Sequence, residues 1–226
     1  MKHLSKIAGR RFEVPEDPIE TTQYLTDMAH LSAVTRLAAL DLGKLCNDLR
    51  LLVSGPNTGL NEISLPPVEP GSSIMPGKIN PSICEAVNMV CIQVIGNDQA
   101  VSAAAAAGQL ELNTHMPVLG HNLLESLDLL AKACVHLATK CVDGITPNVE
   151  RCRWYVENSP SIATALNPYI GYDKAAGVVK ESLASRKPIP QIILEKGYLS
   201  KEQLKEVLDP IAMTQPNLKR KRKARR

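Results

Sequence analysis

What is scarce in this chain narrows the field first. Aromatic side chains make up 3% of it, with one Trp and one Phe, so packing falls to Leu, Val, Ile and Ala in helices rather than to the aromatic and β-branched faces of a sandwich. No stretch reaches the roughly 18 uninterrupted apolar residues of a membrane-spanning helix. The basic start, Met1 to Gly9, is not followed by an apolar block like that of a secretory leader. The expected compartment is the cytoplasm. Six cysteines, at 46, 84, 91, 134, 141 and 152, include no CxxC pair and no histidine partner at zinc-finger spacing, which argues against metal or disulfide chemistry. The pairs 84/91 and 134/141 are each seven apart, a spacing that puts both members on one helical face as small hydrophobes of a core seam. The remaining composition, 44% apolar and 22% charged over 226 residues, suits one domain or a domain with an appendage.

Hydrophobic periodicity predicts an all-α fold. Met1 to Pro18, with two prolines and Gly9, reads as an irregular lead-in. From Ile19 to about Val53, apolar residues including Leu25, Met28, Leu31, Leu42, Leu45, Leu49 and Leu52 recur mostly at helical spacing. This predicts one very long helix, ended by Gly55-Pro56. A second long helix starts at Asn80-Pro81, with Asn80 as its cap, and runs through Gly96 and the small-residue run Ala103 to Ala107. A third spans Val118 to about Val142 and ends at Gly144. Beyond Thr146 come short helices broken by turns, the last opened by a capping-box pattern, Ser200 to Gln203. The expected organisation is a lead-in (1–18), a long-helix bundle (19–144) and a small helical domain (145–216), followed by a basic disordered tail (217–226). Lys219 to Arg226 holds seven positive charges, and subtracting them from the net +3 leaves −4. With so few aromatics elsewhere, the tail does not point to nucleic acid as the main partner.

One stretch departs from this scaffold. Gly71 to Pro81, GSSIMPGKINP, follows Pro66, Pro67 and Pro70, which forbid a helix. Gly71 and Gly77 allow the backbone to turn or approach a ligand. Ser72 and Ser73 supply hydroxyls, and Lys78 and Asn80, two apart, can aim a charge and an amide at one anion. Such a loop can read a carboxylate or phosphate and holds a candidate nucleophile or base.

The loop resembles the GSSxMPxKxNP signature of the aspartase/fumarase superfamily. LCNDLRLLVSGPNTGLNEISLP before it, and NMVCIQVIGNDQAV, AGQLELN, KCVDGITPN and ALNPYIGYDKAA after it, resemble the same family. The resemblance implies a helical homotetramer with very long core helices and anti elimination from a dicarboxylate to give fumarate, without a cofactor or metal. AAAAAGQLELN, CNDLRLL and KCVDGIT look like the aspartase form. They imply an aspartate ammonia-lyase, with class II fumarate hydratase as the alternative; Thr114-His115-Met116-Pro117 departs from the family's usual Val-Met-Glu-Pro.

Carried over by position, the resemblance makes Ser72 the base that takes the Cβ proton. Ser73, Lys78 and Asn80 become substrate contacts, while Gly71, Gly77 and Glu85 support the site. It also implies a gap. Family members are about twice this length, and their Thr-rich anion-binding loop and Thr-His pair belong upstream; Thr114-His115 follows the loop and is not that pair. An isolated chain is therefore expected to be inactive, needing further copies or a complementing N-terminal half. Two non-lyase readings stand beside this one: a helical interaction protein that has lost the chemistry, and a nucleic-acid binder acting through the tail.

Overall fold

A computed structural model describes residues 1–69, 71 and 74–214. The chain divides into two compact units, Met1–Thr146 and Pro147–Arg226, the second described as far as Thr214. Both are helical. The described residues contain only two strands, β1 (Ile63–Ser64) and β2 (Thr146–Pro147), of two residues each.

Three long helices build the first unit: α3 (Thr26–Leu52), α4 (Ser82–Ala106) and α5 (Met116–Lys140). At about 1.5 Å per residue, the 27 residues of α3 span about 40 Å. Along α4 the buried positions Cys84, Val87, Cys91, Val94, Val101 and Ala104 follow the helical repeat. They fall into two apolar clusters. One gathers Ala39, Cys46 and Leu49 of α3 with Ala133 and Leu137 of α5; the other gathers Leu25, Leu119 and Leu123. Each large aliphatic side chain buried here contributes about 1.5–3 kcal/mol.

Between these clusters along α4 lies a polar layer. Asp98 accepts from Ser32 Oγ at 2.7 Å and from Arg36 Nε at 2.9 Å, while Asn97 Nδ2 donates to Glu125 Oε2 at 2.9 Å and Ser126 Oγ at 3.1 Å. A slip of either neighbouring helix would orphan buried polar atoms, so the layer holds the three helices in register.

The second unit uses shorter pieces: α6 (Val149–Asn158), a 3-10 turn (Pro160–Leu166), α7 (Asn167–Ile170), α8 (Tyr172–Ser185), α9 (Ile189–Glu195), α10 (Lys201–Val207) and α11 (Pro210–Thr214). Leu166, Ile192 and Ile193 are fully buried in one aliphatic core with Val178, Ile189 and Leu204. The expected capping box forms: Ser200 Oγ accepts from Gln203 N at 3.2 Å, and Gln203 Oε1 accepts from Ser200 N at 3.0 Å.

Several sequence expectations need correction. The lead-in is not wholly irregular, because Lys2–Ala8 forms a helix, α1, ending at Gly9 with φ 63°; the breakers all lie beyond its last turn. The single helix from Ile19 is interrupted. A short helix, α2 (Pro18–Gln23), stops at Tyr24, which is extended. The Thr22 carbonyl, which a continuous helix would pair within itself, accepts instead from Asn113 Nδ2. The Thr21 and Thr22 hydroxyls also bond back to Asp17 and Pro18 carbonyls. Of the two cysteine pairs, Cys84 and Cys91 are buried together, but Cys134 is exposed while Cys141 is buried. Helix α5 has ended by Cys141, which is its C-cap, so helical spacing no longer relates the two. The basic tail, Lys219 to Arg226, lies outside the described residues.

Candidate active site

The signature loop opens onto a cleft of about 710 Å³. Its walls come from the end of α3 (Arg50, Val53), the following loop (Ser54, Asn61), the 76–81 segment with Lys78 and Asn80, and Glu85 one turn into α4. Local bonds shape the first wall: Ser54 accepts from Asn61 N at 2.8 Å through its carbonyl and from Leu60 N at 3.1 Å through its hydroxyl, while Glu62 N reaches back to Leu52 O at 2.9 Å. Asn61 takes φ 53°, a left-handed conformation that Asn tolerates better than most residues. Farther back, Gly144 fits against the Pro66 ring so closely that a Cβ there would meet Pro66 Cγ at 2.3 Å.

Asn80 does not cap α4 as its position before Pro81 suggests. Pro81 occupies the cap position, and no side chain caps the helix. Asn80 Nδ2 instead donates to the Gly71 carbonyl at 2.9 Å. Gly71 N–H in turn donates to the Lys78 carbonyl at 3.0 Å, and Lys78 N–H to the Met75 carbonyl at 3.2 Å. The two ends of the loop are thus joined through Gly71, where a Cβ would stand 2.0 Å from the Lys78 oxygen. At Gly77, φ is 80°, so both glycines serve the backbone roles their positions suggested.

The structure brings Lys78, Asn80, Gly77 and Glu85 to one cleft; Ser72 and Ser73, the expected base and its neighbour, lie outside the described residues. Sequence reading missed Arg50. It lines the same cleft, with NH2 3.7 Å from Glu85 Oε1 and NH1 3.4 Å from Asn47 Oδ1. Its signal was the LRLL run before SGP, where an arginine near a helix end reads as a solvated charge. Lys78 and Arg50 give this wall two cations against one carboxylate, Glu85, and the uncapped start of α4 adds partial positive charge. Such a balance favours an anionic ligand.

On the buried side of α4, Cys84 Sγ lies 3.6 Å from Cys141 Sγ. The hydrogen bond with Cys46 and burial raise the Cys84 pKa above the ordinary thiol range, and burial pushes Cys141 up to about 12. These thiols are therefore neutral packing groups at ordinary pH. Among the described residues, no cluster of three or more His, Cys, Asp or Glu side chains is placed to hold a metal ion, and no helix is long and apolar enough to cross a membrane.

A family model described as Lyase matches residues 1–96, and one described as Fumarase C C-terminus matches residues 162–215. Aspartate ammonia-lyase of Helicobacter pylori is 50% identical over 222 residues, covering 98% of this chain and 47% of that protein. The Escherichia coli enzyme of the same name is 43% identical, covering 98% of this chain and 46% of its own length. A crystal structure described as fumarate lyase:delta crystallin from Brucella melitensis superposes with a TM-score of 0.89 at 47% identity, covering 95% of this chain and 46% of that one. A class II fumarase from Schistosoma mansoni gives 0.84 at 39% identity, covering 91% and 43%. The chain therefore spans about half the length of the curated relatives it matches.

Proposed function

Starting from the fact that the chain belongs to the aspartase/fumarase family, we propose that it carries the serine-loop part of an aspartate ammonia-lyase site. The observation that carries this reading is the 222-residue match to aspartate ammonia-lyase at 50% identity, running through a loop whose Lys78 lines a cation-rich cleft.

The reaction is an anti elimination. Ser72, as its oxyanion, takes a proton from Cβ of L-aspartate, the C–H bonding pair becomes the new C=C bond, and ammonia leaves from Cα to give fumarate. The difficulty is charge, because the intermediate has an extra negative charge spread onto a carboxylate. Lys78, aided by donors from Ser73 and Asn80, holds that carboxylate and stabilises the developing charge. Arg50 and Glu85 complete the ionic wall on this side. The remaining groups come from sequence that the longer relatives have and from neighbouring copies, which the apolar residues exposed along α3 would meet in a homotetramer.

The test is an assay for fumarate from L-aspartate and, in parallel, from L-malate, using the chain alone and the chain co-expressed with the upstream half of the Helicobacter pylori relative. The expected result is negligible fumarate from the chain alone and fumarate from L-aspartate in the complemented assembly. Fumarate from L-malate in its place would make the chain part of a fumarate hydratase. No fumarate from either in a correctly assembled complex would sink the lyase reading.

A further inference from the structure

The signature loop is tied at its base, and Asn80 makes the tie. We infer that Asn80 is a positioning residue whose amide locks Gly71, the residue immediately preceding Ser72, against the backbone of Lys78. This deepens the lyase reading and rests on it for its catalytic consequence, although the geometry is independent of that reading.

Three observations meet at Gly71. Its carbonyl accepts from Asn80 Nδ2 at 2.9 Å, and its N–H donates to the Lys78 carbonyl at 3.0 Å. Both backbone groups are thereby paired, one on each side of the same residue. The space beside it is closed, since an added Cβ would lie 2.0 Å from the Lys78 oxygen. Asn80 itself is followed by Pro81, whose fixed φ and position at the start of α4 hold the amide in place at the base of a 25-residue helix. The loop therefore takes its reference frame from the long-helix scaffold through one side chain. An amide suits this task because it keeps its N–H donors at any pH at which the fold survives, whereas a carboxylate in its place would face the Gly71 carbonyl with no donor.

For the lyase site the consequence is a division of labour. Lys78 lines the cleft, while its carbonyl fixes the start of the loop. Ionic reading of the substrate rests on side chains, and the frame of Gly71 rests on one Nδ2 hydrogen of Asn80, an amide whose second hydrogen can still meet a carboxylate. Loss of the tie would misplace the reacting groups without removing any of them, which lowers turnover more than substrate binding.

The experiment is amide hydrogen exchange on the isotope-labelled full chain, following Gly71 as a ratio to core amides of α5 so that local opening is separated from unfolding. In the parent protein Gly71 is expected to be protected. Asn80→Ala and Asn80→Asp are both expected to lose at least about tenfold of that protection near neutral pH. The Asn80→Asp variant should regain it below about pH 4, where the protonated carboxyl can again donate. Space-filling by residue 80 would not reproduce that pH dependence. Unchanged protection in Asn80→Ala, or no recovery on acidification of Asn80→Asp, overturns the proposal. In the complemented assembly, Asn80→Ala should depress kcat by a larger factor than it raises KM, and a KM effect alone would leave Asn80 a substrate contact only and overturn its positioning role in the reaction. If no assembly makes fumarate, the exchange result still decides the tie.

Discussion

The two units solve the burial problem differently. In the second, short helices surround one aliphatic core in which Leu166, Ile192 and Ile193 have no exposure. The first covers far less of its own apolar surface. Along α3 alone, Leu31, Val34, Leu37, Leu40, Leu45 and Leu51 are all exposed, while the polar layer of Asn97 and Asp98 lies inside. The unit thus buries the Asp98 carboxylate on α4 while leaving leucines of α3 exposed. The comparison teaches that the second unit closes over its own core, whereas the first, which holds the candidate site, leaves an apolar face on α3 that the proposed homotetramer would cover.

The sharpest way to test the contrast is chemical. Ser72→Ala, measured in the fumarate-producing assembly, is expected to reduce kcat by about 10²–10⁴-fold, the range for losing a general base, with substrate affinity largely kept. Lys78→Ala should weaken substrate binding and turnover together, and an unchanged rate would remove it from the site.

Leu166→Ala addresses the other unit. Truncating a fully buried leucine should cost about 2–5 kcal/mol, read from urea unfolding; a cost below about 1 kcal/mol would mean that this core is not as self-sufficient as its packing indicates.

pH separates the units by sign. Burial and neighbouring thiols raise the Cys84 and Cys141 pKa values in the folded first unit. Their contribution is fully present below the unfolded thiol pKa and is lost as pH rises from there toward the folded value, offset in part by Cys46, whose pKa the hydrogen bond with Cys84 lowers. In the second unit, Lys187 and Gln191 lower the pKa of Glu195. That contribution is present above the unfolded carboxylate pKa and fades as pH falls through the folded one. Followed up to about pH 10, below the range in which Lys196 of the second unit, its pKa raised by the hydrogen bond with Glu181, deprotonates, unfolding should therefore show alkaline loss in the first unit and a small acid loss in the second. Equal alkaline sensitivity of the two would contradict the assignment.

The smallest effect on single-chain stability belongs to Leu37→Asp. Leu37 is 52% exposed, so urea unfolding of the isolated chain should change by less than about 0.5 kcal/mol, while light scattering should report a lower assembly mass. An unchanged mass would show that this stretch of α3 faces solvent in the oligomer too.

Much of this was legible in the sequence because periodicity and backbone chemistry are local. The long helices, the capping box at Ser200 and the glycines of the signature loop followed from spacing and residue type. The failures were tertiary. Asn80 has the residue type and the place of a helix cap, but the Gly71 carbonyl, nine residues earlier, holds its amide. Thr22 looks like helix interior until Asn113, from a distant turn, takes its carbonyl. Arg50 looked solvated because nothing in a linear reading puts Glu85 beside it.

Gly71 and Gly144 set a limit on how this sequence can drift. At each, a single added carbon would collide at 2.0 Å with the Lys78 oxygen or at 2.3 Å with the Pro66 ring. Neither position can be explored by the usual small steps of substitution, because even alanine forces the loop or the proline wall behind it to move. In a saturation library selected for function, both should read as glycine alone, while the exposed leucines of α3 tolerate exchange among apolar residues of similar size. Some of the chain's most invariant sites would then be residues with no side chain.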